Sequence, residues 1–118
     1  MDKRIEKIKR FREFLLAQMK GLTTEELNKI PAGYNNNIIW NIAHLICASQ
    51  SLCYLRAGQP ITVEDKYFSP YRTNTKPGEF IDEDEIEKIK KLFIESIDTL
   101  EADFDRKIFN DYTPLKIF

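Results

Sequence analysis

The sequence predicts an all-α protein, an up-and-down helical bundle with three long helices and one short helix. Three long segments carry apolar residues at every third or fourth position, which is the spacing of a helix with one buried face. Prolines, glycines and helix-capping residues separate these segments. No run of alternating polar and apolar residues exceeds a few positions, so no strand is predicted. A chain of 118 residues is long enough to bury one core, and we expect a single helical domain over residues 1–118.

The first long helix is expected over residues 2–22. Charged residues cover most of its surface, and six apolar residues share one face: Ile5, Ile8, Leu15, Leu16, Met19 and Leu22. Thr23 and Glu26 then have the spacing of a capping box. This spacing predicts a short helix, which must end before Pro31.

The second long helix is expected over residues 37–57, after the turn-forming segment PAGYNNN. The asparagines of that segment can cap the start of the helix, and Gly58 and Pro60 predict its end. Apolar side chains cover most of its circumference, which is typical of a helix that is buried on several sides. Two partner helices would hardly enclose it. Either a fourth helix is missing from the chain, or a second subunit covers the exposed side.

Residues 58–80 form a long connection that contains three prolines and several aromatic residues. Loops of this length are uncommon in compact domains and often wrap around a core or close over a site. Asp82 and Glu85 repeat the capping-box spacing and predict the start of the third long helix. The apolar residues of this helix form one narrow stripe: Ile86, Ile89, Phe93, Ile97, Leu100 and Phe104.

Charge and composition argue against several classes of function. The 18 Lys and Arg residues nearly balance the 19 Asp and Glu residues, so no net field favours nucleic acid or an anionic membrane. The segment MDKRIEKIKRF lacks the apolar stretch of a secretory signal, and polar residues interrupt the apolar region 38–55. Cys47 and Cys53 are too far apart on one helix to form a disulfide and are expected to be reduced. We therefore expect a cytoplasmic protein with no nucleic-acid or membrane partner.

The only histidine of the chain, His44, lies on a polar stripe of the second helix. The stripe also contains Asn37, Asn41, Ala48 and Ser51, which follow one another at about one-turn spacing. One interpretation is that the stripe faces solvent, as most polar stripes do. The other is that it faces the bundle interior, where a neutral imidazole can bind a divalent metal. Helical spacing alone leaves both interpretations open.

Arg12 is the second unusual residue, because it interrupts the apolar face of the first helix. Its guanidinium can extend to water along that face, or it can anchor an anionic group of a substrate. Arg12, Asn41 and Tyr54 are our candidates for substrate binding. Cys47 lies one turn from His44, so a pair of thiol and imidazole is geometrically possible, although buried cysteines are usually inert. No catalytic residue is assigned.

The chain resembles the DinB-like four-helix-bundle family over essentially its whole length, in the order of its helices and in the loop YRTNTKP. The specific part of the resemblance is the pattern Asn-Asn-x-x-Trp-Asn-x-x-His, which occurs here as Asn36, Asn37, Trp40, Asn41 and His44. It implies a divalent metal, often zinc or nickel, held by three histidines, of which His44 matches the one on the second helix. Some members of the family are thiol-dependent transferases or isomerases, and a metal makes thiolate available to them by lowering the pKa of the thiol.

No histidine follows His44, so two of the three ligands that the resemblance implies are absent from this sequence. We expect a bundle that resembles the family, is truncated before its fourth helix and has an incomplete metal site. The first hypothesis is a metal-dependent enzyme of the thiol-transferase type, or a truncated remnant of one, with a small-molecule thiol as substrate. The alternative is a non-catalytic helical module that binds itself or a partner through an exposed apolar groove. A homodimer or higher oligomer is expected, because a second copy could cover that groove.

Overall fold

The computed structural model describes residues 3–106, and no strand occurs within that range. Four α-helices follow one another along the chain: α1 (Lys3–Met19), α2 (Thr24–Asn28), α3 (Ile38–Ser49) and α4 (Glu83–Asp105). Three of these helices are long and one is short, so the predicted all-α bundle is confirmed. The expected lack of a further long helix concerns residues beyond 106, which lie outside the described part of the chain.

Side-chain caps set the starts of the helices at the positions that the sequence predicted. Thr23 Oγ1 accepts a hydrogen bond from the Glu26 N–H at 3.1 Å, and the Glu26 carboxylate accepts one from the Thr23 N–H at 3.0 Å. The capping box of α2 is therefore complete. Asn37 caps α3 and Asp82 caps α4 in a similar way, each accepting from the backbone N–H three residues further on.

The second long helix extends beyond α3 through two turns with different hydrogen-bond patterns. A π-helical turn at Gln50–Tyr54 and a 3₁₀ turn at Leu55–Ala57 continue it without a break. Gly58 has a φ of 74°, the left-handed conformation that favours glycine and ends helices. The predicted range of 37–57 is confirmed, although the helix is not α-helical after Ser49.

Helix α4 lies in the middle of the fold and packs against both α1 and α3, whose backbones approach each other little. Its buried stripe contains most of the predicted residues: Ile86, Ile89, Phe93, Ile97 and Leu100. The prediction was wrong for Phe104, which is 41% exposed. At this end of α4 Asp103 points inward, because it accepts a hydrogen bond from Tyr54. Phe104 follows it and is therefore rotated by about 100° towards solvent.

The core determines which side of α3 remains for other contacts. Ile39, Ile42 and Ile46 are buried in the larger group of core side chains, together with residues of α2 and α4. On a helix these three isoleucines lie roughly opposite His44. The side of α3 that carries His44 therefore faces away from α4.

The connection between α3 and α4 wraps around α3, as its length predicted. It contains 3₁₀ turns at Asp65–Tyr67 and Ser69–Tyr71 and buries Phe68. Its far end is held by Asn28 of α2, whose side-chain amide accepts from the Ile81 N–H and donates to the Ile81 carbonyl, both at 2.8 Å. The connection is thus anchored to α2 just before α4 begins.

Arg12 of α1 is buried between the three long helices and is only 3% exposed. Its Nη1 donates to the Phe93 carbonyl at 2.8 Å and to Ser96 Oγ at 3.2 Å, both on α4. Its Nη2 donates to Ser49 Oγ at 2.7 Å and to the Leu45 carbonyl at 3.4 Å, both on α3. Burial lowers the pKa of Arg12 to about 10, so the guanidinium stays charged at neutral pH. Of the two alternatives for Arg12, extension to water is wrong, because these acceptors hold the cation inside.

One helical segment within residues 3–106, Ile38–Ala57, is long and apolar enough to cross a membrane by length and composition alone. Its most apolar stretch has a mean hydropathy of 1.3, and 44% of that stretch is buried inside the fold. Core helices of soluble proteins can be as long and as apolar, so length and composition are weak support for a membrane span. The cytoplasmic location and the absence of a membrane partner stay predictions.

We expect Arg12→Ala to lower the free energy of unfolding by about 3–4 kcal/mol, because it removes the hydrogen bonds of a buried cation and leaves a cavity. Arg12→Lys keeps the charge, but one ammonium does not reach the acceptors on both α3 and α4, so we expect a loss of about 2 kcal/mol. Urea unfolding followed by circular dichroism measures both. Arg10→Ala is the control on the same helix, because Arg10 is exposed. Equal unfolding midpoints for the Arg12 and Arg10 variants would contradict the proposed bridge.

Candidate functional site

Two neighbours hold the imidazole of His44 in one orientation. Its Nδ1 lies 2.6 Å from the Tyr71 carbonyl oxygen. Its ring stacks on the indole of Trp40, with 4.9 Å between the ring centroids and 7° between the planes. Trp40 lies one turn earlier on α3, whereas Tyr71 belongs to the connection. The helix and the connection together therefore position the ring.

The contact with Tyr71 determines which ring nitrogen carries the proton. A carbonyl oxygen only accepts hydrogen bonds, so Nδ1 must be the donor, and the neutral ring then has its lone pair on Nε2. Histidines that bind a metal through Nε2 usually donate Nδ1–H to a carbonyl or a carboxylate in this way. His44 is thus in the form that can bind a metal, or accept a proton, through Nε2.

His44 lines an open cleft of about 400 Å³, which we call the His44 cleft. Its walls come from α3, the π-helical turn and the connection, and they include Cys47, Ser51, Leu52, Leu55, Phe68 and Arg72. Burial raises the pKa of the Cys47 thiol, and the nearby charge of Arg72 only partly opposes this effect. Cys47 is therefore a protonated thiol at neutral pH, and no hydrogen bond joins it to His44 in the described structure.

The polar stripe of α3 has no single environment. Asn37 is buried and donates to the Asn28 carbonyl at 3.0 Å, whereas Asn41 is exposed. His44 and Ser51 are half-buried beneath the connection. Neither interpretation of the stripe was right for its whole length, because a loop covers its middle, rather than solvent or another long helix.

Two of the three candidates for substrate binding lie in the interior. Arg12 directs its guanidinium to acceptors on α3 and α4. Tyr54 is 2% exposed and donates to Asp103 Oδ2 at 2.5 Å, and burial together with this bond raises its pKa. The geometry gives both side chains structural roles, because neither is open to a substrate. Asn41 is exposed and donates to the Asn37 carbonyl at 2.9 Å, and its part in substrate binding stays a prediction.

The described residues do not form a metal site by themselves. Within residues 3–106, no group of three or more His, Cys, Asp or Glu side chains lies close enough together to hold an ion. The His44 cleft offers one imidazole and the protonated thiol of Cys47, whereas zinc sites have three or four protein ligands. Any metal bound to His44 therefore needs ligands from outside this range.

Sequence patterns did not identify the residues that the connection brings to His44. The backbone of Tyr71 and the side chains of Phe68 and Arg72 all reach the cleft from that segment. Its length and its aromatic residues indicated that it wraps around the core, but not where it contacts α3. Such contacts depend on the path of the chain, about which helical periodicity contains no information.

A family model described as the DinB superfamily matches residues 7–114. The match extends over most of the chain and is not limited to the motif on α3. No curated protein and no solved structure gives a significant match.

We expect the neutral imidazole of His44 to be the Nδ1–H tautomer. Free histidine prefers the Nε2–H form, so the Tyr71 carbonyl must reverse that preference in the folded protein. The chain has one histidine, so a long-range ¹⁵N–¹H spectrum shows a single pair of ring nitrogens. Unfolding in urea is the control and should restore the Nε2–H form. A protonated Nε2 in the folded protein would mean that this hydrogen bond does not form in solution.

Proposed function

Because the chain belongs to the DinB superfamily, we propose that it is a metal-dependent enzyme of the thiol-transferase type, or a remnant of one, with His44 as a metal ligand. The observation that supports this best is the hydrogen bond from His44 Nδ1–H to the Tyr71 carbonyl, since it leaves Nε2 free to bind. The His44 cleft is also large enough for a small molecule. A divalent metal would lower the pKa of a thiol that binds to it.

The missing ligands would have to arrive with another helix, and an apolar surface lies beside the cleft. Ile8 and Phe11 on α1 are 40% and 55% exposed, Leu45 on α3 is 36% exposed, and Leu55 on the 3₁₀ turn that continues α3 is 48% exposed. We call these four residues the α1–α3 face. Arg12, one turn after Ile8 on α1, donates a hydrogen bond to the Leu45 carbonyl of α3. This bond links the two helices beneath the α1–α3 face. Leu55 also lines the His44 cleft, so a helix on this face would lie next to the imidazole.

A second candidate function is a non-catalytic helical module that associates through the α1–α3 face. The observation in its favour is the exposure of four large apolar side chains on two linked helices, which is typical of interaction surfaces. A second copy of this chain is the partner that we propose. In a twofold dimer the same apolar surface of both copies is buried, so no further partner is required.

Metal retention tests the first proposal. After incubation with zinc or nickel and desalting, we expect the protein to keep more than about a tenth of an equivalent of metal. His44→Ala should abolish this retention, whereas Asn41→Ala, one turn away on the same stripe, should not. Mass spectrometry of the metal content gives the stoichiometry. If the wild-type protein keeps less metal than this, and His44→Ala keeps the same amount, the enzymatic proposal is wrong for this chain.

The oligomeric state tests the second proposal. We expect wild-type protein to be a homodimer and Leu45→Asp to be a monomer, because a carboxylate is unfavourable inside an apolar interface. Phe80→Asp is the control, since Phe80 is exposed but lies outside the α1–α3 face. Size-exclusion chromatography with light scattering gives the mass of each variant. A monodisperse wild-type monomer would rule out self-association.

A further inference from the structure

Trp40 lines a second cleft, separate from the His44 cleft. This cleft has a volume of about 530 Å³ and lies between the start of α3 and the end of the connection, so we call it the Trp40 cleft. Its volume is within the range of small-molecule sites in proteins. Neither the metal proposal nor the α1–α3 face gives it a role.

The indole N–H of Trp40 has no hydrogen-bond acceptor among the described residues. The side chain is 7% exposed, and its Nε1 has almost no accessible surface. Most buried donors in folded proteins are paired, because an unpaired one loses its bond to water without a replacement. A group that supplies an acceptor at this position would therefore bind favourably.

The walls of the Trp40 cleft are largely apolar. Pro70, Tyr71 and Phe80 contribute rings, and Phe80 is 62% exposed. Residues 78–80 are all exposed, so the wall that they form can shift without uncovering the core. Such a shift is needed for a ligand, because the indole nitrogen is shielded in the structure.

Three carboxylates and one lysine line the Trp40 cleft: Glu79, Asp82, Glu85 and Lys76. Glu85 is already close to two other lysines, at 3.7 Å from Lys66 and 3.5 Å from Lys88. An anionic ligand would gain the charge of Lys76 but would meet those of Glu79 and Asp82. The cleft therefore disfavours an anion, and it attracts a cation only weakly, because Glu79 and Asp82 are exposed to screening water and Glu85 is paired with lysines.

We propose that the Trp40 cleft binds a small neutral molecule that has an apolar or aromatic body and a carbonyl oxygen. The carbonyl oxygen accepts the hydrogen bond of Trp40 Nε1–H, and the body packs against Tyr71 and Phe80. A hydrocarbon of the same shape would leave the indole N–H unpaired. The site does not depend on a metal at His44, so it can be tested without one.

The chain has a single tryptophan, so a ¹⁵N–¹H spectrum contains one indole signal, which reports directly on this donor. The probes are acetophenone and α-methylstyrene, which have the same shape but differ by a carbonyl oxygen in place of a methylene group. We expect acetophenone to move the indole proton downfield in a saturable manner and α-methylstyrene not to do so. No saturable shift, or equal shifts with both probes, would overturn the proposal.

Two variants locate the binding event. Phe80→Ala removes an exposed wall of the cleft and should weaken acetophenone binding about fivefold. Phe14→Ala removes a phenylalanine of α1 with a similar exposure, 57% against 62%, and should leave the affinity unchanged. Equal affinities for the two variants would contradict the assignment to this cleft. A nuclear Overhauser cross-peak between the indole proton and a bound water that persists at saturating acetophenone would also contradict it, because the acceptor would then be that water molecule.

Discussion

The buried guanidinium of Arg12 links the three long helices and sets their register. One of its nitrogens donates to α4 and the other to α3, so α1 cannot slide along either helix without breaking bonds of a shielded cation. Breaking those bonds would leave a buried cation and its acceptors unpaired, which makes such a shift costly. An apolar side chain could fill the same volume, but it would not select one alignment of the helices.

This register determines what each side of α3 contacts. The edge with Leu45 and Ser49 accepts hydrogen bonds from α1, and the isoleucine side packs on α4. Trp40 and His44 occupy the remaining side, which the connection covers. The orientation of the imidazole therefore depends on core packing as well as on its own hydrogen bond. The same arrangement keeps α1 and α3 apart and leaves the α1–α3 face uncovered within the described structure.

Local features of the fold could be predicted from the sequence, and features that depend on distant contacts could not. The capping boxes, the end at Gly58 and the buried stripe of α4 follow from residues within a few positions of each other. The motif on α3 identified the DinB superfamily and singled out His44. The direction of the Arg12 side chain and the tautomer of His44 depend on acceptors 27 or more residues away. Helical periodicity does not contain that information.

The π-helical turn at Gln50–Tyr54 affects how positions on this helix are compared between related proteins. A π turn contains about one residue more than an α-helical turn. Every later side chain therefore points in a different direction from the one it would have on a regular α-helix. Counting along the helix therefore assigns equivalent positions correctly only as far as Ser49. Beyond that point, equivalence has to be judged from the partner that a side chain contacts, as Tyr54 contacts Asp103. A relative with a regular α-helix here would need one residue fewer to present the same surface.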